Sequence, residues 1–509
     1  MKRLLTAAQM RAVDRAASEL GVSVAVLMEN AGSALAEEAL CRASPTGRFA
    51  VLCGRGNNGG DGLVAARLLV GRERSVHVEV VGGAERLSGE PRRNLQALVS
   101  SGVSPTAIAE DLHIGAGDVV VDALLGTGVD RPPEGAYAAA IGRIAAWRSA
   151  GAKVVSADLP SGLESDTGRC FAPCVSADVS VAFGFLKLGQ AMEPGRSRSG
   201  SVREVDIGIP AAALAAIKGP SAWGVEEDDA RERIPVRAPD THKGTYGHVL
   251  VVAGSRGKPG AAALTGLGAL RAGAGLVTVA SRPDALSQVL IHAPELMGAE
   301  LPPGGPLSAA DLDALLHALE DKSSLVIGPG IPRGDETGRM IASLLERISI
   351  PCVIDADGLN ALTDDPDVLR RAKAPVILTP HPGEMARLLG TTAGAVQEHR
   401  TEAARRAAET FQAIVVLKGS ATLIALPDWT LYANPTGNPG MATGGTGDVL
   451  SGILGGLLAQ EIPPVDAAIA GVYAHGLAGD LAAARVGQQG LIATDLLGGL
   501  CEVWARWRR

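Results

Sequence analysis

Two glycine-rich segments concentrate the residues best suited to chemistry. The first is Asn57-Asn58-Gly59-Gly60-Asp61-Gly62, which follows the apolar run 49–53 and precedes a helical run over 63–69. Glycines at a strand-to-helix turn let backbone N–H groups approach phosphates, and a helix start adds positive potential. The amides and the carboxylate add oxygens that a plain phosphate loop does not need. Two further strand ends point at the same sheet edge: Asp122, ahead of Leu-Leu-Gly126-Thr127-Gly128, and Asp158, in Asp158-Leu-Pro160-Ser161-Gly162. Open α/β sheets bind ligands at the carboxyl ends of their strands. Asn58, Asp122 and Ser161 can converge there as hard oxygen donors around a cation, leaving Asp158 to move protons. Taken singly, these residues would serve as helix caps and turns; three such motifs at one edge favour a site.

The second segment is Thr443-Gly444-Gly445-Thr446-Gly447-Asp448, running into an apolar helix that ends near Ala459. A glycine turn at a helix start can collect charge developing on a transferred phosphoryl group, with Asp448 placed to accept a proton from an attacking hydroxyl. The plain alternative is an N-cap above a turn. Lys418-Gly419-Ser420-Ala421-Thr422 follows a strand and offers hydroxyls and amides to a nucleotide. Thr379-Pro-His381-Pro-Gly-Glu384 also sits at a strand end; alone, it reads as a loop histidine and a carboxylate in a helix first turn.

The elements that must position these residues alternate. Helices are predicted from Thr6, with Gln9 completing a capping box and Met10, Val13, Ala17 and Leu20 as an apolar stripe, and over 25–40. Strands are predicted over 49–53, 76–81, 118–125, 153–159 and 179–183, then over 249–253, 276–280, 325–328, 352–355, 376–379 and 414–418. Two Ala- and Leu-rich helices follow from Val465. Such alternation implies parallel sheets with helices on both faces. The pattern loosens between 209 and 232, so the domains are placed at 1–219 and 220–509, two unlike domains in tandem. The chain has 509 residues, more than one hydrophobic core usually organises.

A net charge of -8 argues against a nucleic-acid partner. No apolar run approaches the ~18 residues of a membrane span. Six scattered cysteines and a start without a signal-type run fit the cytoplasm, and Cys170 and Cys174 read as ordinary thiols.

With Asp-Ala-Leu-Leu-Gly-Thr-Gly, Asp-Leu-Pro-Ser-Gly and Phe183-Gly-Phe-Leu-Lys187-Leu-Gly, the first half resembles the NAD(P)H-hydrate epimerase domain, over about residues 1–215. The resemblance implies a Rossmann-like three-layer domain. It also implies that Asn57, Asn58, Gly59, Gly60, Asp61, Gly126, Thr127, Gly128, Val129, Asp130, Arg131, Pro132, Tyr137 and Asp158 contact a hydrated dinucleotide. Potassium would lie on Asn58, Asp122 and Ser161. The second half, over about 230–505, resembles the ribokinase-like superfamily and more closely the NAD(P)H-hydrate dehydratases. Its match adds Gly254-Ser255, Gly260-Ala261-Ala262, Gly328-Pro329-Gly330 and Asp355-Ala-Asp357-Gly-Leu-Asn360. There the resemblance implies that Ala261, Gly330, His381 and Asp448 line the hydrate site, and that Lys418, Gly419, Ser420, Ala421, Thr422 and Gly447 hold the adenine nucleotide. ADP, with magnesium, is implied by the fused bacterial form. A homo-oligomer is expected, on no residue in particular.

Hydroxide leaves a hydrated nicotinamide ring poorly, and phosphorylating the hydroxyl eases its departure. Dehydration would act on one epimer, which gives an epimerase in the same chain its sense. Two other readings stay open: a small-molecule kinase in the second half, and a nucleotide-binding regulatory module without turnover in the first.

Overall fold

The computed structural model describes residues 1–107 and 112–508. The chain forms two compact units, Lys2–Ser221 and, with Met1, Ala222–Arg509. Both are α/β, as the alternation predicts.

In the first unit six parallel strands lie in the order Val76–Val80, Phe49–Cys53, Val119–Ala123, Lys153–Ala157, Val179–Phe183 and Ser201–Val205. Strands covered on both faces read as continuous apolar runs. Alternate residues of Phe49–Cys53 accordingly enter opposite cores: Phe49, Val51 and Cys53 pack with Leu35 and Leu63, whereas Ala50 and Leu52 pack with Ile141 and Ile144. The chain leaves Phe49–Cys53 toward one edge and returns on its other side as Val119–Ala123. That reversal opens a crevice at their carboxyl ends.

In the second unit seven parallel strands run Met297–Glu300, Leu276–Ser281, His248–Val252, Ser324–Ile327, Cys352–Ile354, Val376–Leu378 and Ile414–Leu417. Leu423–Ala425 and Leu431–Ala433 continue the sheet antiparallel, and Ala222–Gly224 pairs with the latter. The helices Pro259–Arg271, Thr446–Ala459, Pro464–Val486 and Ala493–Trp507 share its main core.

The Thr6–Gln9 capping box forms as predicted. Leu20 does not join the buried stripe: it caps its helix at 52% exposure. The helix predicted over 63–69 begins at Asn57, so the asparagines and glycines occupy its first turns rather than a loop before it. Among the described residues, seven strands of two to five residues escape the sequence reading, from Lys2–Leu5 and Leu186–Lys187 to Leu431–Ala433. Among the described residues no helix is long and apolar enough to cross a membrane.

Candidate functional site

Each unit gathers its chemistry at the carboxyl ends of its parallel strands. In the first, the crevice is a cavity of about 600 Å³ lined by Asn57, Asn58, Gly126, Thr127, Gly128, Val129, Asp130, Arg131, Pro132 and Tyr137, together with Arg55. Gly59, Gly60, Asp61 and Asp158 are buried and do not form its wall. Gly59 serves packing, because a Cβ there would stand 1.9 Å from the Gly54 carbonyl oxygen.

The three proposed cation donors come together through Leu125. The Asn58 amide donates to the Leu125 carbonyl (3.1 Å), the Leu125 N–H donates to Ser161 Oγ (2.9 Å), and Ser161 Oγ donates to Asp122 (2.6 Å). Asp122 also accepts from Ser156 Oγ (2.9 Å) and the Ser161 N–H (2.8 Å). Complete burial raises its carboxyl above the ordinary range, against the pull of these donors.

Asp158 occupies the left-handed region, with φ 61°, a conformation non-glycine residues hold only under constraint. Its carboxylate accepts the Phe183 N–H (3.0 Å) and pairs with the buried Lys187 ammonium. Lys187 is fixed in turn by the Phe185 carbonyl (2.9 Å). Asp61 is pushed well up by burial, then by Asp158 and Asp14. Asp14 is exposed by surface area, yet the protein around it and Asp158 raise its carboxyl too, against Lys187.

In the second unit Lys418 follows Ile414–Leu417, and its ammonium contacts Asp355 (2.7 Å) and Glu384 (3.9 Å). Burial pulls the Lys418 pKa down, but Asp355 and Glu384 more than offset this. Ser451, one turn beyond Gly447, donates to the other Asp355 oxygen (2.6 Å). Asp448, in the helix first turn, is pushed up to about 7 by burial and Asp355, with Lys418 opposing and Glu384 adding. That value leaves it ionised for much of the time at neutral pH and still a competent proton acceptor.

His381 caps Pro382–Leu388: its Nδ1 accepts the Gly383 and Glu384 N–H groups, and its Nε2 stands 3.3 Å from Glu384. The ring is thus a helix cap, where its position alone suggested a loop histidine, and it borders this cluster through Glu384. Gly330 lies against Ala261, since a Cβ on it would come within 2.8 Å of the Ala261 Cβ. In the segment 418–422, Thr422 Oγ1 donates to the Gly419 carbonyl (3.1 Å), Ala421 has φ 54°, and Gly419 and Ser420 are exposed.

Residues 249–500 match the family described as NAD(P)H-hydrate dehydratase, and residues 24–189 match the one described as YjeF-related protein N-terminus. A bifunctional NAD(P)H-hydrate repair enzyme of Moorella thermoacetica is 44% identical, over 97% of this chain and 95% of its own. Its namesake in Escherichia coli is 36% identical over 96% and 91%. This chain belongs to the bifunctional NAD(P)H-hydrate repair enzymes. An ADP/ATP-dependent NAD(P)H-hydrate dehydratase of Bacillus subtilis, co-crystallised with ATP and Mg2+, is 33% identical, with 56% of this chain covered, 98% of that one and a TM-score of 0.49.

Several residues of this repair-enzyme family member escape sequence reasoning. Arg400 lies beneath 418–422, its guanidinium directed at the carbonyls of Leu417 (3.3 Å), Lys418 (3.4 Å) and Ala421 (3.4 Å). Nothing in a helix of alternating charge announces it. Lys187 is legible as part of a family motif, but its place beside Asp158, 29 positions earlier in sequence, is not. Asp355 is likewise legible only as part of a family motif, and His475, whose ring meets the Thr446 carbonyl, gives no signal.

Proposed function

We propose that the Ala222–Arg509 unit dehydrates S-NAD(P)H-hydrate at the expense of ADP, giving AMP and phosphate, and that the Lys2–Ser221 unit interconverts the R and S hydrates. The observation that carries this reading is Asp448, a carboxyl poised near neutrality beside Lys418 at the head of a glycine-fronted helix. The ring hydroxyl of the substrate attacks the terminal phosphorus of ADP, Asp448 takes the hydroxyl proton, and AMP departs. The phosphate ester then leaves with cleavage of its C–O bond, and loss of a ring proton restores the double bond. Lys418 and the helix N–H groups offset the charge that builds on the phosphoryl oxygens.

On this reading Ala261, Gly330, His381 and Asp448 hold the hydrate, while Lys418, Gly419, Ser420, Ala421, Thr422 and Gly447 hold the nucleotide. Magnesium would be held mainly by the nucleotide phosphates and water. In the first unit, the cavity residues hold the dinucleotide and Asp158 is the acid and base. Asn58, Asp122 and Ser161, with the Leu125 carbonyl, are all hard oxygens with a single carboxylate, a set suited to potassium. Bound there, the ion would help fix substrate orientation. The reading keeps the expected homo-oligomer and cytoplasmic setting, which light scattering and cell fractionation test.

The purified chain, given both NADPH-hydrate epimers with ADP and magnesium, is expected to convert all of both, with release of phosphate equal to the NADPH formed. Asp448→Asn abolishes the conversion. Lack of recovery with either ADP or ATP, or a stable phosphorylated product without phosphate release, would overturn the dehydratase reading in favour of a kinase.

A further inference from the structure

The segment 436–446, which leads into the Asp448 helix, is tied to the helix Pro464–Val486 at three levels. Thr436 Oγ1 donates to the Tyr473 carbonyl (2.9 Å). The Asp480 carboxylate accepts the Gly437 N–H and the Asn438 amide, both at 2.9 Å. Between these, His475 Nε2 lies 2.9 Å from the Thr446 carbonyl oxygen. A carbonyl can only accept, so Nε2 carries the ring proton and donates it.

Thr446 and Gly447 share one planar trans peptide, on which C=O and N–H point in opposite directions. The His475 bond on that carbonyl therefore adds to the helix's own hold on the direction of the Gly447 N–H. That N–H belongs to the first turn of Thr446–Ala459 and has no protein partner among the described residues; such donors point out of the helix start. Gly447 faces the charged cluster, since a Cβ on it would stand 3.3 Å from Lys418 Nζ and 3.9 Å from Asp355.

We propose that His475 is a positioning residue of the phosphoryl-transfer site, which, through the Thr446 carbonyl, aims the Gly447 N–H at the phosphoryl group in flight. The inference rests on the dehydratase reading above. Burial, with the nearby Lys418 charge, keeps the ring uncharged at neutral pH, so it holds the peptide without adding a second cation beside Lys418. A neutral side chain with a donor at the same reach should replace it.

The test is steady-state kinetics of the full chain on S-NADPH-hydrate with ADP and magnesium, together with thermal melting and epimerisation of the R hydrate. His475→Leu should lower kcat by roughly 10–100-fold, because a misaimed transition-state donor costs rate rather than binding. Its KM for hydrate should stay near the wild-type value, and His475→Gln should recover most of kcat. A His475→Leu protein that melts like wild type and keeps its kcat overturns the proposal, as does an equal loss in kcat and affinity that Gln does not rescue. Should the Leu variant fail to fold, His475→Asn, too short to reach Thr446, is compared with His475→Gln: a lower kcat for Asn supports the proposal, and equal rates overturn it. If the wild-type chain turns over no hydrate with ADP or ATP, the dehydratase reading falls and takes this inference with it.

Discussion

A single carboxyl, Asp448, shows how the catalytic use proposed for it and stability pull apart. Its folded-state pKa of about 7 exceeds the ordinary 3.8 because burial and Asp355 disfavour the charged form. The folded protein therefore holds this proton more tightly than the unfolded chain. The resulting stabilisation is complete below the unfolded value and is lost as pH rises through about 7. Above that, ionised Asp448 is a cost that Asp448→Asn removes. A shift of this size corresponds to ~4 kcal/mol for a fully buried group, and partial solvent access reduces the expected gain to roughly 1–2 kcal/mol. Urea unfolding at several pH values should show Asp448→Asn more stable than wild type, with the gain growing between the ordinary value of 3.8 and about 7 and level above that. A gain that is flat or reversed would mean that the carboxyl is not desolvated. The rate of dehydration should follow the opposite logic: it climbs with pH through about 7 in wild type as the base ionises.

At the scale of elements, the helices Pro259–Arg271 and Thr446–Ala459 approach so closely that a Cβ on Gly452 would stand 2.0 Å from the Thr265 carbonyl oxygen. The same two helices meet at the turn before Asp448, where a Cβ on Gly445 would stand 2.5 Å from Leu264. Gly452→Ala must push the helices apart and should cost about 2–3 kcal/mol, read as a lower melting temperature together with a slower dehydratase. Gly498, exposed in Ala493–Trp507, meets only the end of the Arg485 side chain. Gly498→Ala should instead stabilise by ~0.5–1 kcal/mol through helix propensity; equal effects of the two substitutions would contradict the packing argument. The same elements show what a linear reading can recover. Strands such as Phe49–Cys53 and Val119–Ala123 were legible because burial on both faces demands unbroken apolar runs. Leu423–Ala425 and Leu431–Ala433, three residues each, were not, because their identity comes from a neighbour's hydrogen bonds. Motif residues were visible where glycines and carboxylates sit together in sequence, as at 443–448. His475 and Arg400 act through backbone carbonyls of distant segments, and that role leaves no local pattern.

At the scale of the whole molecule, each unit has its own core and its own candidate site. If both activities are complete within their units, damage to one leaves the other intact. Asp158→Asn, which keeps an oxygen for Lys187 and the Phe183 N–H, should stop epimerisation while dehydration of the S hydrate continues. Asp448→Asn should do the reverse. From a mixture of epimers, Asp158→Asn protein alone should then convert S and leave R behind. The two variant proteins added together should restore full conversion, because the S hydrate released by one chain is free to enter the other. The rate should depend on both concentrations and show no preference for sites within one polypeptide. Complementation that fails although each variant keeps its own activity would mean that the hydrate passes between sites without release, and the fusion would then be part of the mechanism rather than a way of making two enzymes together.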